Sequence, residues 1–348
     1  MKRIGVLMAT AFVDMVGGAM IFPLLPYYAL RFQAEPWMIG WMVAAFWIAQ
    51  LGAAPLWGRV SDRYGRRPAI LAGLAAAAMG YLVFAFASNV WMLFLSRLVQ
   101  GAGGGITGVA QAYVGDAIAP RDRAKALGWL SAATNAGVMI GPGIGSLATN
   151  LGAAAPGLIA ASLCLINVLY AWRWLPEPSP HQRHSQGQSH ASAPRRPIFA
   201  VVKEVFRSPG DDIPRLIWIY SVGMLGFMSM TGILALYLQA EFGITERTIG
   251  LFFVYLGALG LLMRAVILGK LIDRFGETRI MRVGAALLAL GLAAVPLPGT
   301  VLTLSLIIAL VPIGTALLFP ATSALVTHRA PRAELGQVLG VQQAFGSV

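Results

Sequence analysis

Apolar residues run through this chain in blocks of about twenty, each closed by a short stretch carrying charge, proline or glycine. That is the length an α-helix needs to cross the hydrocarbon core of a bilayer. The pattern predicts spans near 4–29, 37–57, 69–88, 91–117, 124–150, 154–175, 214–240, 246–268, 280–297 and 300–327, with an eleventh beginning near 334. Met1, Lys2 and Arg3 before an apolar run have the outline of a signal peptide. No soluble domain follows, however, and Asp14 interrupts the run, so it is read as the first span.

Polar residues gather between the sixth and seventh blocks, where residues 176–213 turn to Ser, Gln, His and Pro. His181, His184 and His190 lie there without Cys or acidic neighbours, which fits a solvated linker and no metal site. Inside the linker, Ile198, Val201, Val202, Val205 and Phe206 share one helical face, predicting a short helix on the inner membrane surface.

Composition agrees with the pattern. The 348 residues are 57% hydrophobic and 11% charged, against roughly 25% charged in soluble domains. Too little polar residue is present to coat a water-facing surface. The single cysteine, Cys164, excludes an internal disulfide and a cysteine-based zinc site.

The net charge of +12 gains its meaning from placement. All of the 26 Lys and Arg except Arg31, Arg97, Arg247 and Arg264 fall on one side of the predicted membrane. By the positive-inside rule that side is the cytoplasm, with the N-terminus and the linker. The basic balance therefore reports orientation and makes the lipid bilayer the partner, with no nucleic acid.

An internal repeat organises the spans. Gly58, Asp62, Arg63 and Gly65 recur as Gly269, Asp273, Arg274 and Gly276, 211 residues further on, and Ala119-Pro120-Arg121 recurs as Ala330-Pro331-Arg332 at the same offset. Two landmarks in one register predict two parallel six-helix repeats. Residues 1–175 form the first bundle, 176–213 the cytoplasmic linker, and 214–348 the second. The register would close the second repeat near residue 385, so 214–348 is expected to be an incomplete bundle ending within its fifth helix.

Gly58-x-x-x-Asp62-Arg63-x-Gly65-Arg66-Arg67 resembles the signature loop of the major facilitator superfamily, and Gly269–Gly276 resembles its weaker second copy. Arg97-x-x-Gln100-Gly101 resembles the fourth-helix motif of the drug:proton antiporters in that family. Gly137-x-x-x-Gly141-Pro142-x-x-Gly145 resembles their antiporter motif, and Asp14-x-x-Gly17 with Pro23-x-x-Pro26 is similar to the first helix of tetracycline-type exporters. Gly80 stands where those exporters resemble one another in carrying an acid, which favours a broader substrate range. Gly103-x-Gly105-x-x-Gly108 matches a dinucleotide fingerprint but lies within a span with no preceding strand, so it is set aside.

The resemblance implies an all-α membrane fold, in a bacterial inner membrane, exchanging lipophilic molecules for protons with no cofactor beyond the proton gradient. An ionised group in hydrocarbon is costly unless paired or hydrated. Asp14, about 15 Å into its span, is the candidate proton carrier, and Arg97 the group expected to tune it by direct or water-mediated contact. Asp62 is placed to accept from the start of a neighbouring helix, and Arg66 to pair with Asp62 and Asp116. By resemblance this cluster, with Gly58, Arg63, Gly65 and Arg67, latches the cytoplasmic side. Pro142 between glycines makes a bent, close-packing helix.

Candidate substrate residues are Gln50, Gln100, Gln111, Tyr113, Thr134 and Asn135 in the first half and Tyr220, Phe227, Met228, Tyr237 and Tyr255 in the second. Arg264 lies near the inner end of its span, where it can snorkel. The alternatives are a proton symporter or sugar/metabolite carrier, and a non-transporting truncated membrane protein. An intramembrane enzyme lacks support, because neither an HExxH nor a GxSxG pattern is present.

Overall fold

A computed structural model describes residues 2–104, 107–178, 198–330 and 335–347, and every regular element among them is helical. The first half comprises α1 (Lys2–Ile21), α2 (Leu25–Arg31), α3 (Pro36–Tyr64), α4 (Arg66–Ala85), α5 (Val90–Gly104), α6 (Thr107–Ala117), α7 (Pro120–Ala148) and α8 (Ala155–Trp174). The second comprises α9 (Ile198–Arg207), α10 (Asp212–Phe242), α11 (Ile249–Leu262), α12 (Leu268–Phe275), α13 (Glu277–Ala294), α14 (Val301–Ile308), α15 (Leu310–Arg329) and α16 (Leu335–Ser347).

Two predicted single spans are broken, each for a covalent reason. Pro23 has no amide hydrogen and its ring crowds the carbonyl of Ala19, so α1 gives way to α2 across Phe22–Leu24. Pro312 acts likewise on Ile308, and α14 yields to α15 at Ala309. A π-helical turn, Met263–Ile267, joins α11 to α12.

The two stretches read as signature loops are not loops. Helix α3 continues to Tyr64 and α12 to Phe275, and one residue then turns the chain into the next helix. Those residues are Gly65 at φ 111° and Gly276 at φ 77°. A side chain would strain the backbone at either φ. With the whole turn made in one residue, no loop is needed.

Packing follows the glycines. Helix α7 lies along α1, where a Cβ at Gly137, Gly141 or Gly145 would stand 2.6, 2.7 and 2.4 Å from the carbonyl oxygens of Phe12, Val16 and Met20. Small residues four apart thus bring two backbones into contact. Helices α4 and α5 cross at Gly73 and Gly103, and α13 and α15 cross at Gly284 and Gly314, the same pair displaced by 211 residues. Helix α9 packs on α16, with Val205 buried, Phe206 edge-on to Trp218, and the Trp218 indole donating to the Val205 carbonyl at 3.0 Å.

Contacts divide the chain into Met1–Ser189 with Ala235–Val254, and His190–Leu234 with Tyr255–Val348. The segment 235–254, assigned by sequence to the second bundle, therefore joins the first unit. At the end of the first bundle that carries Arg66, Leu7, Ile70, Leu74, Tyr113, Val114 and Leu130 form a buried core. Large apolar side chains such as Trp41, Leu51, Leu147, Ile166 and Leu169 point outward, an inversion suited to lipid.

Among the described residues, seven helical stretches are long and apolar enough to cross a membrane: Gly5–Arg31, Pro36–Tyr64, Arg66–Ala85, Ala155–Trp174, Asp212–Phe242, Ile249–Phe275 and Val301–Arg329. The remaining predicted spans fall short for visible reasons. The fourth contains residues outside the description, α7 is diluted by Ser131, Thr134, Asn135 and its glycines, and α13 opens with Glu277, Arg279 and Arg282.

Candidate functional site

Asp14 lines a cavity of about 220 Å³ inside the first bundle. Leu7, Thr10, Ala11 and Met15 of α1, Ile70 and Leu74 of α4, Thr107, Ala110 and Gln111 of α6, and Leu127, Leu130, Ser131 and Thr134 of α7 form its walls. The walls are apolar with a few convergent hydroxyl and amide groups, the lining that suits a small organic molecule. Two further polar atoms nearby, Thr10 Oγ1 and Asn167 Oδ1, are buried without a partner, while Asn167 Nδ2 donates to the Thr10 carbonyl at 2.8 Å.

Arg97 stands apart from this cavity. It is 3% exposed, its Nε and Nη2 have no hydrogen-bond partner, and its guanidinium carbon lies 5.6 Å from the ring centre of Phe84. Among the described residues Asp14 makes no ion pair, so the direct contact with Arg97 allowed by sequence is not made. Tyr81, which sequence reasoning passed over, stands against α1 at Gly17 and Gly18, one turn beyond Asp14.

Gln100 and Gly101 serve packing. Gln100 Nε2 donates to the Gly80 carbonyl at 3.2 Å, and a Cβ on Gly80 would fall 2.5 Å from Gln100 Cγ, so no acid fits at position 80. A Cβ on Gly101 would stand 2.2 Å from the Phe46 carbonyl oxygen of α3.

At the basic end, Arg66 gathers a network. Its Nε donates to Asp116 Oδ2 at 2.7 Å, and its Nη1 donates to Asp62 Oδ1 at 2.6 Å and Ser61 Oγ at 2.7 Å. Charge-assisted bonds from one guanidinium thereby tie the ends of α3, α4 and α6 together. The amides at the start of α4, however, are not taken by Asp62. Glu177 accepts from the backbone N–H of Arg66 and of Arg67, each at 2.7 Å, an anion at a helix N-terminus. Glu177 was not singled out from sequence, although an acid between Pro176 and Pro178 directly after a span was its visible signal. Gly58 is half-buried on α3, the Arg67 guanidinium donates to the Trp172 carbonyl, and that of Arg63 lies over the Tyr64 ring.

The second copy is built differently. Gly269, Asp273 and Arg274 are exposed on helix, and the Arg274 guanidinium lies over the Phe275 ring as Arg63 does over Tyr64. Glu277 stands in the register position of Arg66 and faces His328 Nδ1 at 3.1 Å. The charge at this point of the repeat is reversed.

The candidate substrate residues scatter. Gln111 and Thr134 line the Asp14 cavity. Gln50 donates to the Gly104 carbonyl at 3.1 Å, Asn135 to the Ser131 carbonyl of its own helix at 2.8 Å, and Tyr113 to the Pro176 carbonyl at 2.6 Å. In the second unit Tyr220 and Phe227 flank Phe319, with ring centres 5.1 and 6.5 Å away. Tyr255 donates to the Ser305 carbonyl at 3.0 Å, and Tyr237 stacks edge-on against Phe242.

The opposite end of the first unit is tightly joined. Arg31 pairs with Glu246, Tyr27 donates to the Ile244 carbonyl at 2.9 Å, and the Gly250 amide donates to Ser146 Oγ at 2.7 Å. A Cβ on Gly250 would lie 2.2 Å from the Pro142 carbonyl oxygen, so the backbones meet closely at this point of α7.

Long apolar helices crossing at glycines, a cavity with one carboxyl group and a charge cluster at the basic end define a multi-pass membrane transporter. The family model of the Major Facilitator Superfamily matches residues 7–348, and the chain belongs to that family. It is similar to the tetracycline resistance protein, class B, of Escherichia coli, with 29% identity over 276 residues, 78% of this chain and 67% of the relative. Multidrug resistance protein 2 of Bacillus subtilis (strain 168) is 26% identical over 344 residues, 99% of this chain and 84% of the relative. Among solved structures, the human organic anion transporter MFSD10 (TETRAN) has 20% identity and a TM-score of 0.69, covering 99% of this chain and 90% of that one. A mutant of the nucleoside transporter NupG has 14% identity and a TM-score of 0.76, covering 99% and 89%. At these identities the two structures speak for the fold alone.

Proposed function

We propose that this chain is a proton-driven exporter of lipophilic small molecules, set in a bacterial inner membrane with its N-terminus in the cytoplasm. The observation that carries the reading is Asp14, a carboxyl group midway along a membrane span and open to an apolar cavity large enough for part of a drug-sized ligand. Proton and substrate then compete for one environment. A substrate that donates a hydrogen bond or brings positive charge to the ionised carboxylate favours the deprotonated form, so that its binding and protonation of Asp14 oppose each other. Resistance proteins among the similar chains support export as the direction.

The Arg66 cluster supports a second part of the reading, a latch at the cytoplasmic rim that closes and releases as the cavity changes the side it faces. The glycine contacts of α7 on α1 join the helix carrying Asp14 to the segment of α7 that holds Pro142. No bound cofactor enters this cycle, and the proton gradient supplies the driving force.

The test is the direction of exchange. Proteoliposomes holding the chain are given an imposed pH gradient, with tetracycline and the dye ethidium as probes. Movement of either probe opposite to the proton flow supports the reading. Movement of probe and proton in the same direction would establish symport and overturn it.

A further inference from the structure

We propose that Tyr81 is the positioning residue of the Asp14 site, its hydroxyl carrying the polar connection between the Asp14 carboxyl and the Arg97 guanidinium. The inference rests on the reading of Asp14 as the proton carrier and adds a third residue to it.

The geometry is built on α1. One turn beyond Asp14 come Gly17 and Gly18, and a Cβ on Gly17 would meet the Tyr81 ring at 3.3 Å and its hydroxyl oxygen at 3.5 Å. A Cβ on Gly18 would meet the same hydroxyl at 3.5 Å. The two glycines therefore form a slot into which α4 inserts a tyrosine that is 3% exposed. A tyrosine hydroxyl set this deep against a helix is suited to serve a polar neighbour.

Arg97 supplies the other side. Tyr81 and Phe84 share a face of α4, three residues apart, and Phe84 carries the Arg97 guanidinium over its ring. Two of the nitrogens of that guanidinium are unpartnered. Tyr81 thus stands between the turn of α1 that follows Asp14 and the ring that carries Arg97. Among the described residues, the other helices packed around Asp14 bring it neutral groups. Helix α8 brings Cys164, whose sulfur a Cβ on Gly17 would also meet at 3.5 Å, while α7 brings Ser131 and Thr134, and α6 Thr107 and Gln111. Tyr81 is thus the polar link through which the state of Arg97 reaches Asp14.

Infrared spectroscopy of the purified full chain, titrated with protons alone, tests this. The protonated-carboxyl band is followed against pH in the wild type, Asp14→Asn and Tyr81→Phe. Loss of the band's titrating part in Asp14→Asn establishes that the signal belongs to Asp14. Tyr81→Phe keeps the ring in its slot and removes one hydrogen-bond donor, so the midpoint is expected to move to higher pH by about one unit, a tenfold change. An unchanged midpoint in Tyr81→Phe, with the Asp14→Asn loss intact, overturns the proposal and leaves the proton-carrier reading standing. A titrating band that survives in Asp14→Asn overturns both. Should Tyr81→Phe lose its cooperative unfolding transition, Arg97→Lys is read instead. It keeps the charge and loses the planar fork of donors, so a displaced midpoint supports the proposal and an unmoved one overturns it.

Discussion

Arg66 shows how one side chain does several jobs at once. Its guanidinium holds Asp62, Ser61 and Asp116, while its backbone amide, with that of Arg67, holds Glu177. Four segments of the chain therefore meet at one residue, and of the two carboxylates held by the guanidinium Asp62 is the exposed one. Neutralising Asp62 takes one charge-assisted bond from Arg66 and leaves the Asp116 bond and the Glu177 cap in place. Asp62→Asn should accordingly slow turnover about tenfold or more, the effect of roughly 1.4 kcal/mol on a conformational barrier, with substrate affinity little changed. Equilibrium binding of ethidium beside transport rate separates the two, and equal loss of both would count against the latch. The residues of this cluster were legible because charge at a span boundary stands out against apolar sequence. Glu177 and Tyr81 were not, since one is a lone acid beside a linker and the other an aromatic among many, and only the fold brings them to Arg66 and Asp14.

At the scale of the helix, hydrophobic block length located the seven stretches long and apolar enough to cross a membrane among the described residues, and the departures at helix ends came from backbone chemistry. Hydropathy cannot see that Pro23 and Pro312 divide apolar blocks, because proline is itself apolar and the block remains one crossing. Nor can it see that charged residues after span two stay helical to Tyr64, since their charge marks the end of the membrane and not the end of the helix. Gly65 and Gly276 end the two equivalent helices with the same left-handed turn in different surroundings. A Cβ on Gly65 would stand 2.7 Å from the Glu177 carboxylate, whereas nothing lies within 4 Å of one on Gly276. Gly276→Ala should cost about 1–2 kcal/mol of conformational strain alone, and Gly65→Ala more, because the α4 cap is displaced as well. Thermal unfolding of the two variants in detergent checks the order, and a Gly65→Ala that melts with or above Gly276→Ala would contradict it.

For the whole molecule, the repeat is visible in packing as well as in sequence. Gly73 with Gly103 and Gly284 with Gly314 make the same crossing in the two halves. The charged and aromatic groups carried by the two halves differ. The first half holds Asp14, its cavity and the Arg66 network, while the second reverses the charge at Arg66 to Glu277 and builds an aromatic cluster at Tyr220, Phe227 and Phe319. Orientation belongs to this scale too. In a Cys164→Ser background, Arg207→Cys should resist a membrane-impermeant maleimide in intact cells and react in inverted vesicles, and the reverse would invert the topology.

The most direct test of the central claim is the proton coupling of Asp14→Asn. Asparagine keeps the size and polarity of the side chain and removes its capacity to carry a proton. In proteoliposomes with an imposed pH gradient, the wild type should move protons and probe in opposite directions, and Asp14→Asn should lose probe-coupled proton movement while still binding the probe. Undiminished coupled exchange in Asp14→Asn would contradict the account.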